Sequence, residues 1–449
     1  MAAAAEDSPS PSPAGAEPFP CSSPLSPIEA HRTPAQARGM RWFWRGAFFA
    51  GANETIVLEY LPLFALAFGA SNGEIGLLAA GVGLAAMLAF VPGAWLSSRW
   101  RYRKPFILAT GWGAAQLLFI PLAVVPLLFD VPLAVRFIIA LAAMRAFVFN
   151  LALPAWTALA ADLVPAGMRG RYFSTRNFLY GVGGLAGLLL VAVLLAGLGS
   201  KEGWLLVWLL VLMAGLAYHW TFSHIPEREL APAGEPPRPR LGPWAALLRD
   251  ANFQAYGATV LIWSISLYMA APFFNVHLVK NLGASPLWVG SLLVVMSVFG
   301  LLGQLLFGKV LDFRSSRWVM AVCGLMIPFL PWAWYLVNAP YQVIAINALG
   351  GIAWAGYTLA SFNFLLAISP PGQQRYYAAA YQTLVYLSTF LGPLLGGAIA
   401  AAYGIKTLFL LSGAGRMLAC LLFVRFVRES RSEVQPSPRR LAQTQTLTP

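Results

Sequence analysis

The chain has 449 residues, of which 59% are hydrophobic and only 10% are charged, and its mean hydropathy is +0.67. Soluble domains carry about a quarter charged residues, so this composition excludes a soluble globular protein and indicates an integral membrane protein. The formal net charge of +13 does not indicate nucleic-acid binding, because the Lys and Arg residues lie between apolar segments rather than together on one stripe.

The first predicted element is a polar tail over residues 1–40, which is rich in Ala, Ser and Pro. It contains no apolar stretch long enough for a signal sequence, and its composition predicts a disordered cytoplasmic segment. Met40 stands directly before the first apolar segment, so we treat it as an alternative to Met1 as the start of translation. Residues 429–449 are predicted to form a second disordered tail.

Twelve apolar spans lie between the tails, each long enough to cross a hydrocarbon core about 30 Å thick, which takes about 20 helical residues. Their approximate bounds are 42–69, 72–97, 105–129, 133–160, 173–198, 204–222, 252–279, 286–310, 317–337, 341–367, 376–402 and 405–427. A polar, proline-rich linker over residues 223–250 separates six spans from six. The sequence therefore predicts an all-α membrane protein with two six-helix bundles, 41–222 and 251–428.

The connections between the spans alternate in charge. One set is rich in basic residues, namely Arg99, Arg101, Arg103, Lys104, Arg169, Arg171, Arg228, Arg238, Arg240, Arg249, Arg314, Arg317 and Arg375. The other set offers little beyond Lys201, Lys280 and Lys406. Because short loops rich in Lys and Arg remain in the cytoplasm, we expect a multi-pass protein of the cell membrane with both termini cytoplasmic.

The first span carries three polar residues, Asn53, Glu54 and Glu59. A charge near the bilayer midpoint, where Glu54 lies, costs from roughly 3 to over 10 kcal/mol unless it is neutralised, paired or wetted. Glu54 therefore predicts a transport site, and the alternative is a protonated carboxyl group locked to neighbouring helices. Glu59 lies about 140° around the helix from Glu54 and nearer the outer surface, so we expect it to be wetted rather than coupled.

Arg145 lies in the fourth span at a depth near that of Glu54. The span enters near Pro132, so Arg145 comes about 13 residues later, or roughly 20 Å along the helix axis. Two opposite charges at one depth predict an ion pair. We expect proton coupling, in which Glu54 takes up a proton on one side, releases Arg145 or substrate, and loses the proton on the other side. The alternative is a static structural pair.

Polar and aromatic residues recur at three- and four-residue steps in the tenth span, where we single out Asn347, Trp354 and Tyr357. The seventh span adds Trp263 with similar spacing. Such walls suit amphipathic or aromatic substrates, although the same stripes are typical of helix packing. His277, near the outer end of the seventh span, is expected to be solvated.

The two halves repeat one another in several places. Gly69-Ala70-Ser71 follows the first span, and Gly283-Ala284-Ser285 follows the seventh. Likewise Arg171-Tyr172-Phe173 opens the fifth span, and Arg375-Tyr376-Tyr377 opens the eleventh. Several matches in the same order predict duplication of a six-helix unit.

The loop after the eighth span reads Gly308-Lys309-Val310-Leu311-Asp312 and is followed by Arg314 and Arg317. With twelve spans and a central cytoplasmic linker, it resembles the loop signature of the major facilitator superfamily, in a bacterial type of sequence. The first-half copy keeps Gly93 but has Ser97 where the family usually has Asp. The resemblance covers residues 41–428 and implies that spans 1, 4, 7 and 10 line a central cavity. It also matches Arg145 to the arginine of a fourth-span motif in proton-coupled members, without the Gln and Gly that usually follow.

The same resemblance implies a cytoplasmic gate. It places the loop after span 8 beside the junction of spans 4 and 5 when the cavity opens outward. Asp312 would then meet the positive end of span 5. The gate residues that we expect are Asp312, Asp162, Arg169, Arg171, Arg101 and Arg375, with Arg176 about a turn beyond Arg171.

The leading hypothesis is a secondary transporter that moves a small organic solute by alternating access, coupled to protons and working as an exporter. The alternatives are an uncoupled facilitator or lipid flippase of the same fold and, more remotely, a membrane-embedded enzyme. The chain shows no metal-binding His pair, no nucleophile elbow and no P-loop. We expect no cofactor besides the coupling proton, a monomer, a small-molecule substrate and the lipid bilayer as partners, and no nucleic acid.

Overall fold

The computed structural model describes residues 33–100, 102–129, 131–164, 169–197, 200–227, 247, 249–311, 313–370 and 374–428. Every regular element in these residues is helical. Eleven of these helical segments are long and apolar enough to cross a membrane. The twelfth, α1, has 34 residues, and Asn53, Glu54 and Glu59 lower its hydropathy. The predicted all-α membrane fold is confirmed.

The first half contains α1 (Pro34–Ala67), α2 (Asn72–Ser98), α3 (Arg103–Val125), α4 (Val131–Leu151 continued by Leu153–Leu163), α5 (Arg169–Gly197) and α6 (Ser200–Ser223). The second half contains α7 (Ala251–Asn281), α8 (Pro286–Val310), α9 (Ser316–Leu336), α10 (Val343–Ile368), α11 (Gln374–Tyr403) and α12 (Ile405–Phe426). Single π-helical turns widen α3 at Thr110–Ala114 and α7 at His277–Asn281. Such turns recur at functional sites.

The start of α1 corrects the predicted tail. Residues 34–40 are helical, and Thr33 caps the helix, because its side chain accepts a hydrogen bond from the Gln36 amide at 3.2 Å. Threonine followed by proline is a strong helix-start signal that composition alone does not reveal. Gln36 also donates to the Leu163 carbonyl at 3.0 Å, which attaches this extension to the end of α4. The other tail residues, 1–32 and 429–449, lie outside the described residues.

The repeated Gly-Ala-Ser segments have the same backbone role in both halves. Gly69 and Gly283 adopt positive φ angles of 86° and 64°, which only glycine adopts readily. The serine that follows, Ser71 or Ser285, is the N-cap of the next helix. Ser71 forms a full capping box with Glu74. The repeat in the sequence is therefore a repeated turn and N-cap position, although the Ser285 side chain forms no capping hydrogen bond.

The same helix pairs pack in each half, as duplication requires. α1 packs on α5 as α7 packs on α11, α2 on α4 as α8 on α10, and α3 on α6 as α9 on α12. Between the halves, α2 packs on α11 and α5 on α8. These contacts form the two pseudo-symmetric bundles that were predicted.

The hydrophobic cores differ between the two ends of the molecule. We call the end with the start of α1 and the end of α12 the termini end, and the opposite end the far end. At the far end one core joins both halves, with Phe64 on α1 and Phe273 on α7 among its members. At the termini end each half has its own core, around Phe222 in the first and Phe423 in the second. The described halves thus share one core at the far end and have separate cores toward the termini end.

Candidate functional site

Glu54 and Arg145 form an ion pair between α1 and α4. Arg145 Nη2 donates to Glu54 Oε1 at 2.7 Å, and the two side chains are 10% (Arg145) and 25% (Glu54) exposed. In an apolar span the partner offsets part of the cost of taking each charge out of water. The structure therefore contains the pairing that the depth argument predicts. Its part in proton coupling stays a prediction.

A buried amide network lies behind this pair. Asn53 is fully buried, and its Nδ2 donates to Gln116 Oε1 at 2.9 Å and to the Val211 carbonyl at 2.7 Å. Its Oδ1 lies 3.4 Å from Arg145 Nη2. Asn53 therefore connects α1 to α3, α4 and α6 and contacts Arg145, while its expected part in binding stays a prediction. Gln116, a lone amide in an apolar span, was not singled out from the sequence.

Aromatic rings hold Arg145 from the other side. Its guanidinium carbon lies 5.0 Å from the centre of the Phe119 ring and 4.6 Å from that of Phe149. Cation–π contacts of this kind stabilise a desolvated cation. These two rings contact the guanidinium in addition to Glu54.

A cavity of about 230 Å³ opens beside the pair. Five helices of the first half contribute to its wall, which consists of Ala50, Glu54, Trp112, Phe149, Ala152, Leu153, Trp156, Arg176, Tyr180 and Tyr218. Close contact of α1 with α5 brings these groups together. A methyl group on Gly51 would collide with the Tyr180 carbonyl, and one on Gly183 would collide with the Phe48 carbonyl.

Arg176 lies in the wall of this cavity rather than at the gate where the sequence grouped it. It is 6% exposed, and its guanidinium carbon lies 4.4 Å from the Phe43 ring centre and 5.2 Å from that of Trp156. Its Nε is buried and has no hydrogen-bond partner. Glu54 and Arg176 both line this cavity, and Arg145 is paired with Glu54. All three charged groups therefore belong to one site.

Glu59 points away from Glu54, as its angle around the helix predicts, and contacts the other half. Its Oε2 accepts a hydrogen bond from Asn275 Nδ2 on α7 at 2.6 Å. The half-buried carboxylate thus connects the two halves toward the far end, and its contact with water stays a prediction. Asn275 was not singled out from the sequence.

The second-half aromatic residues form a packed cluster. The Trp263 and Tyr357 rings are stacked with centres 4.6 Å apart, and Trp354 meets Trp263 edge-on at 6.3 Å. The cavity beside Trp263 and Tyr357 measures only about 10 Å³. Asn347 donates instead to the Leu292 carbonyl on α8 at 3.0 Å. These polar and aromatic residues therefore make packing contacts with neighbouring helices, which was the alternative interpretation. His277 is 1% exposed, so the expectation that it is solvated is wrong.

The predicted gate is described only in part. Asp312 and Arg101 lie outside the described residues, as do the side chains of Arg169, Arg171 and Arg375. Asp162 forms an ion pair with Arg103, which joins α4 to α3 inside the first half. Asp162 is thus engaged within its own bundle instead of across the expected gate.

Glu227 caps α3 beside this ion pair. Its carboxylate accepts hydrogen bonds from the Arg103 and Lys104 amides at 2.7 and 2.8 Å. Among the residues with described positions, no group of three His, Cys, Asp or Glu residues could hold a metal ion. Glu227 and the Arg103–Asp162 pair thus stabilise the start of α3.

Comparison with known proteins gives a consistent result. The chain matches the family model of the Major Facilitator Superfamily over residues 43–274 and 256–449. It is 26% identical over 168 residues to the multi-drug resistance efflux pump PmrA of Streptococcus pneumoniae, covering 36% of this chain and 42% of the pump. It is also 26% identical over 169 residues to the Staphyloferrin B transporter of Staphylococcus aureus, covering 37% of this chain and 38% of that transporter. These alignments thus span about two fifths of each relative's length.

A solved structure of the nucleoside transporter NupG has a similar fold. The similarity covers 87% of this chain and 100% of that one, with a TM-score of 0.71 and 12% sequence identity. At this identity the similarity concerns the fold alone.

Proposed function

Because the chain belongs to the Major Facilitator Superfamily, we propose that it is a proton-coupled secondary transporter that exports a small organic solute by alternating access. The observation that carries the proposal is the Arg145–Glu54 ion pair of 2.7 Å at a cavity within the membrane-spanning region. Ionisable residues inside the membrane are costly and are usually functional. The family and the all-helical fold favour movement of a solute over chemical conversion of one.

The geometry supports a simple role for the proton. When Glu54 takes up a proton, its attraction for Arg145 falls, while Phe119 and Phe149 keep the guanidinium in place. The cavity then gains positive charge without a large rearrangement. Loss of the proton restores the pair. The protonation state of Glu54 thus sets the charge that a bound solute meets.

Alternating access needs contacts that can separate at either end. In the described state, the Glu59–Asn275 bond and the shared core hold the halves together at the far end. The basic residues Arg99, Arg103 and Lys104 lie at the termini end, which the positive-inside rule assigns to the cytoplasm. We infer that this state is closed to the outside of the cell, with its central cleft toward the cytoplasm.

The outward direction is supported by similarity to PmrA, which is named an efflux pump. One departure is the position of the Gly-Pro pair. Drug antiporters carry it in the fifth span, whereas Gly392-Pro393 lies in α11. The drug-exporter subgroup is therefore not part of the proposal.

The proposal is tested by reconstituting the full chain in sealed vesicles that contain a pH-sensitive dye and screening small organic solutes. We expect at least one solute whose movement changes the internal pH. Solute movement without a pH change would instead favour an uncoupled facilitator. Movement of lipid alone would favour a flippase.

A further inference from the structure

We propose that the cavity beside Glu54 binds an aromatic carboxylate, whose carboxylate group pairs with Arg176 and whose ring packs against Trp112 and Trp156. This inference rests on the proposed function, because the ligand would be the transported solute. It adds a substrate class and a binding residue, Arg176.

The described charged groups around the cavity leave one positive charge unbalanced. Among the residues with described positions there are two ion pairs, Arg103–Asp162 and Arg145–Glu54. Arg145 is therefore matched by Glu54, whereas Arg176 has no carboxylate partner in that part of the chain. An arginine in a membrane-spanning helix is unfavourable without a counter-charge. With Glu54 ionised, these three groups leave one net positive charge at the cavity, which favours an anion.

The Arg176 guanidinium packs between aromatic rings without a charged partner among the described residues. Arg176 is 94% buried, and Phe43 and Trp156 contact its planar group at 4.4 and 5.2 Å. Its Nε is buried without a partner. The Tyr218 hydroxyl, which accepts a bond from Trp156 Nε1 at 3.2 Å, also interacts with Arg176. A hydroxyl and two aromatic rings leave the charge itself unmatched. A planar carboxylate, which can accept two parallel N–H bonds from one guanidinium, supplies that charge.

The size and lining of the cavity suit a small aromatic molecule. Drug-sized ligands occupy roughly 300–1,000 Å³, so about 230 Å³ suits a smaller molecule, such as one ring with a short acidic arm. The indole of Trp112 packs against Tyr218 and Phe149, with ring centres 4.0 and 5.3 Å away. Such fixed aromatic faces bind a flat apolar ring by stacking and by area burial.

The experiment measures binding to the purified full-length protein in nanodiscs by isothermal titration calorimetry. The probes are 3-phenylpropionate and its uncharged amide, 3-phenylpropionamide, which differ only in the group that would meet Arg176. We expect the carboxylate to bind the unmodified protein at least tenfold more tightly than the amide. Equal affinities, or no binding of the carboxylate up to millimolar concentration, would overturn the inference.

Variants then identify the residue responsible. Arg176→Gln should reduce carboxylate affinity at least tenfold and leave amide affinity unchanged, and Arg176→Lys should retain part of the preference because it keeps the charge without the planar fork. Arg425→Gln is the matched control, because Arg425 also lies against a ring, that of Phe426, but on the exposed end of α12. An unchanged carboxylate affinity in the two Arg176 variants would exclude Arg176 as the binding residue.

Arg176→Lys also provides a second test if Arg176→Gln does not fold. Size-exclusion profiles report the folding of both variants. Failure of the carboxylate probe leaves proton-coupled transport of another solute intact, because the vesicle screen does not depend on this probe. Failure of that screen with a bound carboxylate would instead refute the proposed function alone.

Discussion

Asn53 illustrates how one side chain can determine the geometry of the site. Its amide is fully buried and bonds to a side chain and a backbone carbonyl from two other helices, Gln116 on α3 and Val211 on α6. Its oxygen faces Arg145. Removing it leaves buried polar groups without partners, which costs more than the bond itself contributes.

We therefore expect Asn53→Ala to lower the stability of the protein by about 1–3 kcal/mol, measured as a reduced unfolding temperature in detergent. Asn150→Ala is the control, because Asn150 bonds only to the Ala146 carbonyl of its own helix. Equal unfolding temperatures for the two variants would show that the Asn53 network does not contribute to the stability of the protein.

Depth and angle along a helix were predictable at this scale, but partners were not. Counting residues from the membrane surface places Arg145 beside Glu54, and the 100° step per residue turns Glu59 away from it. Asn275 as the partner of Glu59, and Gln116 as that of Asn53, depend on how neighbouring helices are rotated. The periodicity of one span does not specify how the neighbouring helices are rotated.

At the scale of elements, glycines decide how closely α1 and α5 approach. A Cβ on Gly183 would collide with the Phe48 backbone, whereas a Cβ on Gly181 would meet nothing within 4 Å. The sequence alone does not reveal which of these two glycines faces α1.

These two glycines form a matched pair for a test. Gly183→Ala should destabilise the protein by about 1–3 kcal/mol, because the new methyl group overpacks a backbone contact. Gly181→Ala should have no effect or a slightly stabilising one. The readout is thermal unfolding of both variants in the same detergent. A smaller loss for Gly183→Ala than for Gly181→Ala would contradict the packing described.

The elements themselves were largely predictable, because bilayer thickness fixes the length of each span and loop charge fixes its direction. The exceptions follow local signals that the apolar pattern does not contain. Thr33 caps α1, which begins at Pro34, seven residues before the predicted boundary at 41. The aromatic stripe of α10 was correctly spaced, but its residues contact neighbouring helices rather than a roomy cavity.

At the scale of the whole molecule, the two halves meet most firmly at the far end. The shared core, the Glu59–Asn275 bond and the contact of Asn72 Nδ2 with the Ala400 carbonyl at 3.4 Å all lie there. Opening of that end must break these contacts. The state described is therefore stabilised by interactions that the opposite state lacks.

Asn275→Ala should shift the population toward a state open at the far end. The reporter is Ala400→Cys, a position that is 2% exposed in α11, in a chain whose native cysteines are replaced by Ser. We expect labelling by a membrane-impermeant maleimide, added outside intact cells, to rise several-fold on adding Asn275→Ala. Asn150→Ala in the same background is the control, and an identical labelling rate in all three chains would contradict the proposed closure.

Coupling of proton and solute movement is tested most directly with Glu54→Gln in sealed vesicles. Glutamine keeps the size of the side chain and one acceptor oxygen for Arg145 but cannot titrate. The proposal predicts that this variant still exchanges labelled for unlabelled solute, while its accumulation of solute under an imposed pH gradient falls to the level without a gradient. Accumulation at the level of the unmodified protein would contradict the proposal that Glu54 carries the coupling proton.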